Sequence, residues 1–212
     1  AMRGHRVTLF DQRSKLGGQI NLAVKIPGKQ EFYETLRFYR VMLEKYGVEL
    51  KLGQCVNQDT IVAGNYDAVV LATGVRPREL ELEGADHAKV LSYLDVLDEE
   101  CLVGQKVAVI GAGGIGIDVA HYLTAQTPFS GDVPEYLQGY GILDSEKALA
   151  LRKPKKREVT VLQRSSDKIG KRLGKTTGWA HIQTLKSHGV KLLSGATYLK
   201  IDDAGLHVKV SL

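Results

Sequence analysis

A glycine-rich segment in the second half of the chain has residue types and spacing that suit phosphate binding. It reads Gly-Ala-Gly-Gly-Ile-Gly at residues 111–116. The first glycine permits a tight turn, the second lets the backbone approach a pyrophosphate, and the last allows a helix to pack closely on a strand. Exposed N–H groups and the helix dipole then favour a phosphate anion. The glycines with these roles are Gly111, Gly113 and Gly116, and a purely structural glycine turn is the open alternative.

The segments on either side of these glycines have the order that such a turn requires. Residues 106–110, Lys-Val-Ala-Val-Ile, indicate a buried strand, and apolar residues between Ile117 and Leu123 recur at helical spacing. A strand, a glycine turn and a helix in succession make the match far more specific than the glycines alone. The sequence therefore predicts a Rossmann-like unit in an α/β fold.

The end of the next strand distinguishes NADPH from NADH. An NAD-binding unit carries an acidic residue there, about 20 positions beyond the glycines. Residues 126–156 instead contain prolines and glycines that predict a long irregular insertion, so the second strand is expected at residues 158–163. That strand ends in neutral Gln163, followed by Arg164, whose guanidinium can pair bidentately with a 2′-phosphate. Arg164 is therefore a predicted contact, and NADPH is the expected cofactor.

The first half of the chain carries weaker signs of a second nucleotide site. Asp11 ends a strand at residues 6–11, where its carboxylate either binds a ribose diol or caps the next turn. Gly17 and Gly18 allow close backbone approach to a ligand, as paired glycines in ordinary turns also do. The apolar run at residues 66–74 predicts a strand buried on both faces, followed by a turn that is either ordinary or placed beside a dinucleotide.

Several further patterns predict scaffold elements. Apolar residues between Lys29 and Tyr46 recur every three or four positions, which predicts a helix with one buried face, ended by Gly47. Residues 48–52 alternate as in a half-buried strand.

The last segments predict a helix, a short strand and a hairpin. The helix is expected to begin at Thr177, with Trp179 packed in the interior, and the short strand follows at residues 190–193. Residues 196–201 and 206–210 are expected to pair as the hairpin.

Composition limits the classes of partner. The chain has 212 residues, of which 43% are hydrophobic and 25% charged, and a formal net charge of +5. This is ordinary for a soluble globular protein, and no nucleic-acid module is recognisable, so nucleic acid is not an expected partner. Cys55 and Cys101 have no metal-site spacing and are expected to be small core residues in a reducing cytoplasm. No apolar run approaches the roughly 20 residues that span a bilayer.

Four further segments are more specific for one protein family than the glycine motif is. They are residues 15–19, 26–36, 90–97 and 173–179. With the motifs above, they resemble the C-terminal half of bacterial NADPH-dependent 2,4-dienoyl-CoA reductase, an iron-sulfur flavoprotein of unsaturated fatty acid β-oxidation. The resemblance implies hydride transfer from NADPH to FAD in this half, with an FMN-binding barrel and an iron-sulfur cluster elsewhere in the parent protein. It also implies two sets of contacts: Asp11, Gly17, Gly18, Gln19, Ala72, Thr73 and Gly74 for FAD, and Gly111, Gly113, Gly114, Ile115, Gly116, Gln163 and Arg164 for NADPH.

The resemblance also predicts the domain organisation. Residues 1–100 match a partial FAD-type domain without its first strand and glycine fingerprint, and residues 101–212 match the NADPH-binding domain without its closing strands. We therefore expect a fragment that binds FAD weakly or not at all, contains no catalytic residue and self-associates through open sheet edges. Two alternatives remain open: an autonomous FAD-dependent NADPH oxidoreductase like thioredoxin reductase, and a non-enzymatic nucleotide-binding module.

Overall fold

The chain forms two compact units of α/β structure. The computed structural model describes residues 1–98, 101–125 and 157–210, so the predicted insertion at 126–156 lies outside the described residues. The two units are Ala1–Arg78 and Glu79–Leu212. The division at residue 100 expected from the resemblance concerns the two nucleotide sites and stays a prediction.

The first unit contains a two-stranded parallel sheet and three helices. In chain order its elements are β1 (Thr8–Asp11), α1 (Ile20–Ala23), α2 (Phe32–Lys45), β2 (Glu49–Leu52) and α3 (Gln58–Ala63). Strand β1 pairs with β2 along its whole length, from Thr8 opposite Glu49 to Asp11 opposite Leu52. The predicted helix and both strands on either side of it are confirmed. Asn57 caps α3, because its side chain accepts a hydrogen bond from the Thr60 N–H at 2.9 Å.

The expected burial of one face of α2 is wrong. No residue of the 14-residue helix is buried, and Phe32 and Tyr39 are among its exposed aromatic residues. The buried apolar residues of this unit are Leu22, Val24 and Ile26. A two-stranded sheet has too little apolar surface to cover a helix of this length. The apolar side chains of α2 therefore lie on one face of the helix but stay partly or fully exposed.

The strand predicted at residues 66–74 is also wrong. This segment is irregular, and the side chains of Val70 and Leu71 are 87% and 79% exposed. A buried parallel strand requires hydrogen-bonding neighbours and a layer over each face. Among the described residues of this unit, the sheet consists of β1 and β2, and neither pairs with the apolar run.

The second unit is built on a three-stranded parallel sheet and a separate hairpin. Within residues 79–98, 101–125 and 157–210, its elements are α4 (Tyr93–Leu97), β3 (Lys106–Ile110), α5 (Gly114–Thr124), β4 (Glu158–Leu162), α6 (Gly178–Ser187), β5 (Lys191–Leu193), β6 (Ala196–Asp202) and β7 (Gly205–Val210). The sheet has the order β3-β4-β5, and β6 pairs antiparallel with β7. All five predicted strands and both predicted helices of this unit are confirmed.

The core of the second unit lies between the central strand and two helices. Val159, Val161 and Leu162 of β4 are buried, as are Ile117 of α5 and Leu185 of α6. Each fully buried side chain of this size contributes about 1.5–3 kcal/mol relative to exposure. The apolar face of α5 is thereby fixed against the sheet, and this packing holds the start of the helix beside the end of β3.

Two predictions of core packing are wrong. Trp179 is 72% exposed, and its indole N–H donates to the carbonyl oxygen of Thr176 at 3.0 Å. Cys55 and Cys101 are both exposed. Each lies in a connecting segment, which normally runs over the surface.

None of the helices in the described ranges is long and apolar enough to cross a membrane.

Candidate functional site

The glycine turn between β3 and α5 is closed by backbone contacts. Gly111 has a φ of +108°, which lets the chain leave β3 sharply. Its N–H donates to the carbonyl oxygen of Leu162 at 2.8 Å. A Cβ added at Gly116 would overlap the carbonyl oxygen of Gly111, so only glycine allows the helix to start this close to the strand. These two glycines shape the turn.

The middle of the turn faces open space. Gly113 is the N-cap of α5, with extended backbone, and a Cβ added at Gly113 or Gly114 would meet nothing within 4 Å. Ile115, in the first turn of the helix, is 50% exposed. The first N–H groups of an α-helix have no acceptor within the helix and carry its positive dipole end. The residues therefore fit the pyrophosphate of a dinucleotide.

The sheet brings the turn and the predicted specificity residues to the same edge. Strands β3 and β4 are parallel and in register, with Ile110 opposite Leu162. Their next residues, Gly111 and Gln163, consequently leave the sheet side by side. In parallel sheets, ligands bind at this carboxyl edge.

Gln163 and Arg164 differ in how their side chains are used. Gln163 is half-buried, and its amide donates to the carbonyl oxygens of Ser165, at 3.1 Å, and of Asp167. The amide therefore shapes the loop that follows β4. Arg164 is exposed at the start of this loop, where its guanidinium is accessible to an anion.

A neighbouring cation is already paired within the loop. Lys171 Nζ lies 2.7 Å from Asp167 Oδ1. The hydrogen bond from Lys171, with a further one from the loop, lowers the pKa of the Asp167 carboxyl. This pairing makes Lys171 a weaker candidate than Arg164 for binding a phosphate.

Sequence reasoning missed Tyr198 at this edge. Its hydroxyl donates to the carbonyl oxygen of Leu162 at 3.1 Å. Burial raises the pKa of the phenol, against the opposing charge of Arg164, so the hydroxyl stays protonated and able to donate at neutral pH. The alternating pattern of β6 indicated only a strand residue, since no local signal tells which distant carbonyl a tyrosine reaches.

Three of the predicted FAD contacts, Asp11, Gly17 and Gln19, contact other residues of the first unit. Asp11 Oδ1 accepts the Arg13 N–H at 2.9 Å, which is the turn-capping alternative. A Cβ added at Gly17 would overlap Leu36 Cδ2 and lie 2.9 Å from Asn21 Nδ2, so this glycine allows close packing of the chain on itself.

One contact joins two of the predicted FAD segments. Gln19 Nε2 donates to the carbonyl oxygen of Val75 at 3.0 Å, one residue beyond Gly74. Ala72, Thr73 and Gly74 are exposed and lie outside any strand, so no strand end presents them beside Asp11. A Cβ added at Gly18, whose φ is +49°, would meet nothing within 4 Å. The assignment of these residues to FAD stays a prediction.

The described ranges contain no cluster of three or more His, Cys, Asp or Glu side chains that fits a metal ion.

A family model for pyridine nucleotide-disulphide oxidoreductases matches residues 1–212. The chain belongs to this family. It is a flavoprotein oxidoreductase module with the Rossmann-type fold of the family, whose members bind FAD and NAD(P). The coarse assignment made from the sequence is thereby confirmed.

Individual relatives are reductases of several kinds. A metal reductase from Desulforamulus reducens is 29% identical over 213 residues, covering 99% of this chain and 32% of the relative. A cinnamate reductase from Clostridium sporogenes is 40% identical over 131 residues, covering 59% of this chain and 19% of the relative. The chain thus spans less than a third of the length of these curated relatives.

Solved structures agree with the assignment. A 2-naphthoyl-CoA reductase matches 99% of this chain and 27% of its own, with a TM-score of 0.78 and 28% identity. A ferredoxin reductase from Rhodopseudomonas palustris, with a TM-score of 0.57 and 19% identity over 97% of this chain and 49% of its own, shares the fold.

Proposed function

We propose that residues 101–212 form the NADPH-binding module of a larger flavoprotein that resembles 2,4-dienoyl-CoA reductase. The observation that carries the proposal is the hydrogen bond from Gly111 N to Leu162 O, 2.8 Å long. It joins the glycine turn to the strand end that presents Arg164. When bound, NADPH supplies the hydride that reduces FAD.

The residues of the chain bind and select the dinucleotide. The N–H groups at the start of α5 hold the pyrophosphate, and the open space beside Gly113 and Gly114 lets it approach the backbone. Arg164 pairs with the 2′-phosphate, where a carboxylate would repel it. Selection of NADPH over NADH then depends on one exposed guanidinium.

The proposal also extends to the substrate of the parent protein. The segments at 15–19, 26–36, 90–97 and 173–179 support a dienoyl-CoA reductase. A relative named for reduction of an aromatic acyl-CoA and one named for cinnamate support an unsaturated acid or its CoA ester as the substrate class. In fatty acid β-oxidation, the parent would reduce such an ester with electrons that enter at this module.

Arg164→Ala tests the selection of NADPH. Loss of one charge-assisted contact costs on the order of 1.5–3 kcal/mol, so NADPH affinity falls about tenfold to a hundredfold while NADH affinity stays nearly constant. Equilibrium titration of the full chain with each dinucleotide measures both affinities.

The matched control is Lys106→Ala. Lys106 is an exposed cation at the opposite end of the same sheet, so its removal changes the net charge equally and leaves the affinity ratio unchanged. An unchanged ratio in Arg164→Ala, or a wild-type chain that binds no NADPH at millimolar concentration, contradicts the proposal.

A further inference from the structure

One carbonyl oxygen receives hydrogen bonds from both the glycine turn and the hairpin. Leu162 O accepts the Gly111 N–H at 2.8 Å and the Tyr198 hydroxyl at 3.1 Å. Leu162 is the last residue of β4, two positions before Arg164. The peptide that leads to Arg164 is therefore held from two sides.

The chain between β5 and β6 fixes the same loop at further points. Gln163 N donates to Leu193 O at 2.9 Å, Ala196 N donates to Gln163 O at 3.0 Å, and Gly195 N donates to Ser165 O at 2.9 Å. With the main chain on both sides of Arg164 anchored, its side chain starts from a defined point. The other contacts named above join backbone groups, whereas the contact from Tyr198 to Leu162 comes from a side-chain hydroxyl.

An irregularity in β6 affects the orientation of the Tyr198 side chain. The pairing of β6 with β7 is irregular between Tyr198 and Lys200, and such a bulge redirects side chains near functional sites. The tyrosine is half-buried, and burial holds its phenol in the protonated, donating form. The positive charge of Arg164 opposes this effect on the pKa.

We propose that Tyr198 is a positioning residue for the selection of NADPH. Its hydroxyl orients the Leu162 peptide and thereby the approach of Arg164 to the 2′-phosphate, while the bond from Gly111 N keeps the turn itself in place. This inference rests on the proposed function of the same site.

Tyr198→Phe removes the hydroxyl and keeps the ring. NADPH affinity is expected to fall about threefold to tenfold, the effect of one neutral hydrogen bond. NADH affinity changes less than about twofold, because the turn keeps its own bond. Tyr39→Phe is the matched control, since Tyr39 is exposed on α2 in the other unit, and it leaves both affinities unchanged.

A double-mutant cycle separates positioning from a general structural role. In the Arg164→Ala background, Tyr198→Phe should cause no further loss of NADPH affinity, because the residue that it positions is gone. Thermal unfolding and circular dichroism of each variant establish that the fold is intact.

The outcomes distinguish this inference from the proposed function. If Arg164→Ala lowers the NADPH to NADH ratio and Tyr198→Phe does not, the role of Tyr198 is overturned and NADPH selection by Arg164 stands. An equal loss for both dinucleotides, an additive loss in the double variant, or a lower melting temperature with an intact ratio also overturns it. If Arg164→Ala leaves the ratio unchanged, the proposed function fails first.

Discussion

Both units carry glycines that the sequence places beside a nucleotide, and the structure uses them differently. In the second unit, Gly111 turns the chain with a φ of +108°, Gly116 lies against the carbonyl oxygen of Gly111, and Gly113 faces open space. In the first unit, Gly17 accommodates Leu36 and Asn21 of its own chain. Because a strand and a helix bracket the glycines in both units, the units differ in what each glycine contacts and not in the order of elements around it.

The parallel sheets of the two units differ in how many hydrogen-bonding neighbours their strands have. Strand β4 has a hydrogen-bonding neighbour on each side, and its buried valines behave as the sequence predicts. In the first unit, β1 pairs with β2 alone among the described residues, and the apolar run at residues 66–74 stays irregular. An apolar segment becomes a strand only if neighbouring strands accept its backbone hydrogen bonds.

The largest effect is expected where a glycine meets backbone. Gly116→Ala places a methyl group on the carbonyl oxygen of Gly111. That oxygen cannot move away without opening the turn. The free energy of unfolding should fall by about 3 kcal/mol, the upper part of the range for overpacking, and NADPH binding should be lost.

The comparison variant for this prediction is Gly17→Ala. Its methyl group meets flexible side chains, although its backbone has a φ of +111°, so the cost should be about 1–2 kcal/mol. It leaves NADPH binding intact. Urea unfolding and dinucleotide titration measure both variants, and equal losses in the two would remove the distinction between the units.

A smaller effect on stability, with a clear effect on binding, is expected at Gly113. Alanine fits its extended backbone and meets no neighbour, but it is a poorer N-cap residue than glycine, so Gly113→Ala should change the unfolding free energy by less than about 1 kcal/mol. Its methyl group fills the space assigned to the pyrophosphate, and NADPH and NADH affinities should both fall about tenfold or more.

Gly104→Ala provides the control for Gly113, because Gly104 is exposed in the same unit and its added Cβ also meets nothing within 4 Å. It should leave titration curves unchanged. Undiminished binding in Gly113→Ala would show that the open space does not hold the pyrophosphate.

The smallest effects concern pH, with one carboxyl in each unit. Hydrogen bonds from His207 and Lys200 hold the pKa of Asp202 far below its usual range, and Thr8, followed by Lys51, lowers that of Glu49. A carboxyl with a depressed pKa adds stability above its unfolded value, near about 4, and loses it as pH falls toward the folded value.

Asp202→Asn and Glu49→Gln should therefore each destabilise the protein slightly at pH 7. The difference in unfolding free energy between each variant and the wild type should shrink below about pH 4. This pH-dependent change should be larger for Asp202→Asn than for Glu49→Gln. Urea unfolding at pH 7 and pH 3 measures it, and a difference that grows on acidification would contradict the assignment of these contacts.

The sequence predicted most elements of the second unit because local pattern and tertiary packing agree there. The glycine motif, the buried strand before it and the helical spacing after it all favour one structure. Trp179 was misplaced because apolar character alone does not reveal a bond to a nearby carbonyl, here that of Thr176. Tyr198 was missed because its partner, Leu162, is 36 positions away.

The sequence by itself determined the Rossmann-type turn at Gly111 and the succession of Gln163 and Arg164 after β4, since both depend on local chain geometry. Only the tertiary structure decided that Gly111 and Leu162 share a hydrogen bond, that Tyr198 joins them, and that the apolar run at residues 66–74 is exposed. Those features depend on which distant segments supply hydrogen-bonding and packing partners, and periodicity along one segment carries no information about its neighbours in space.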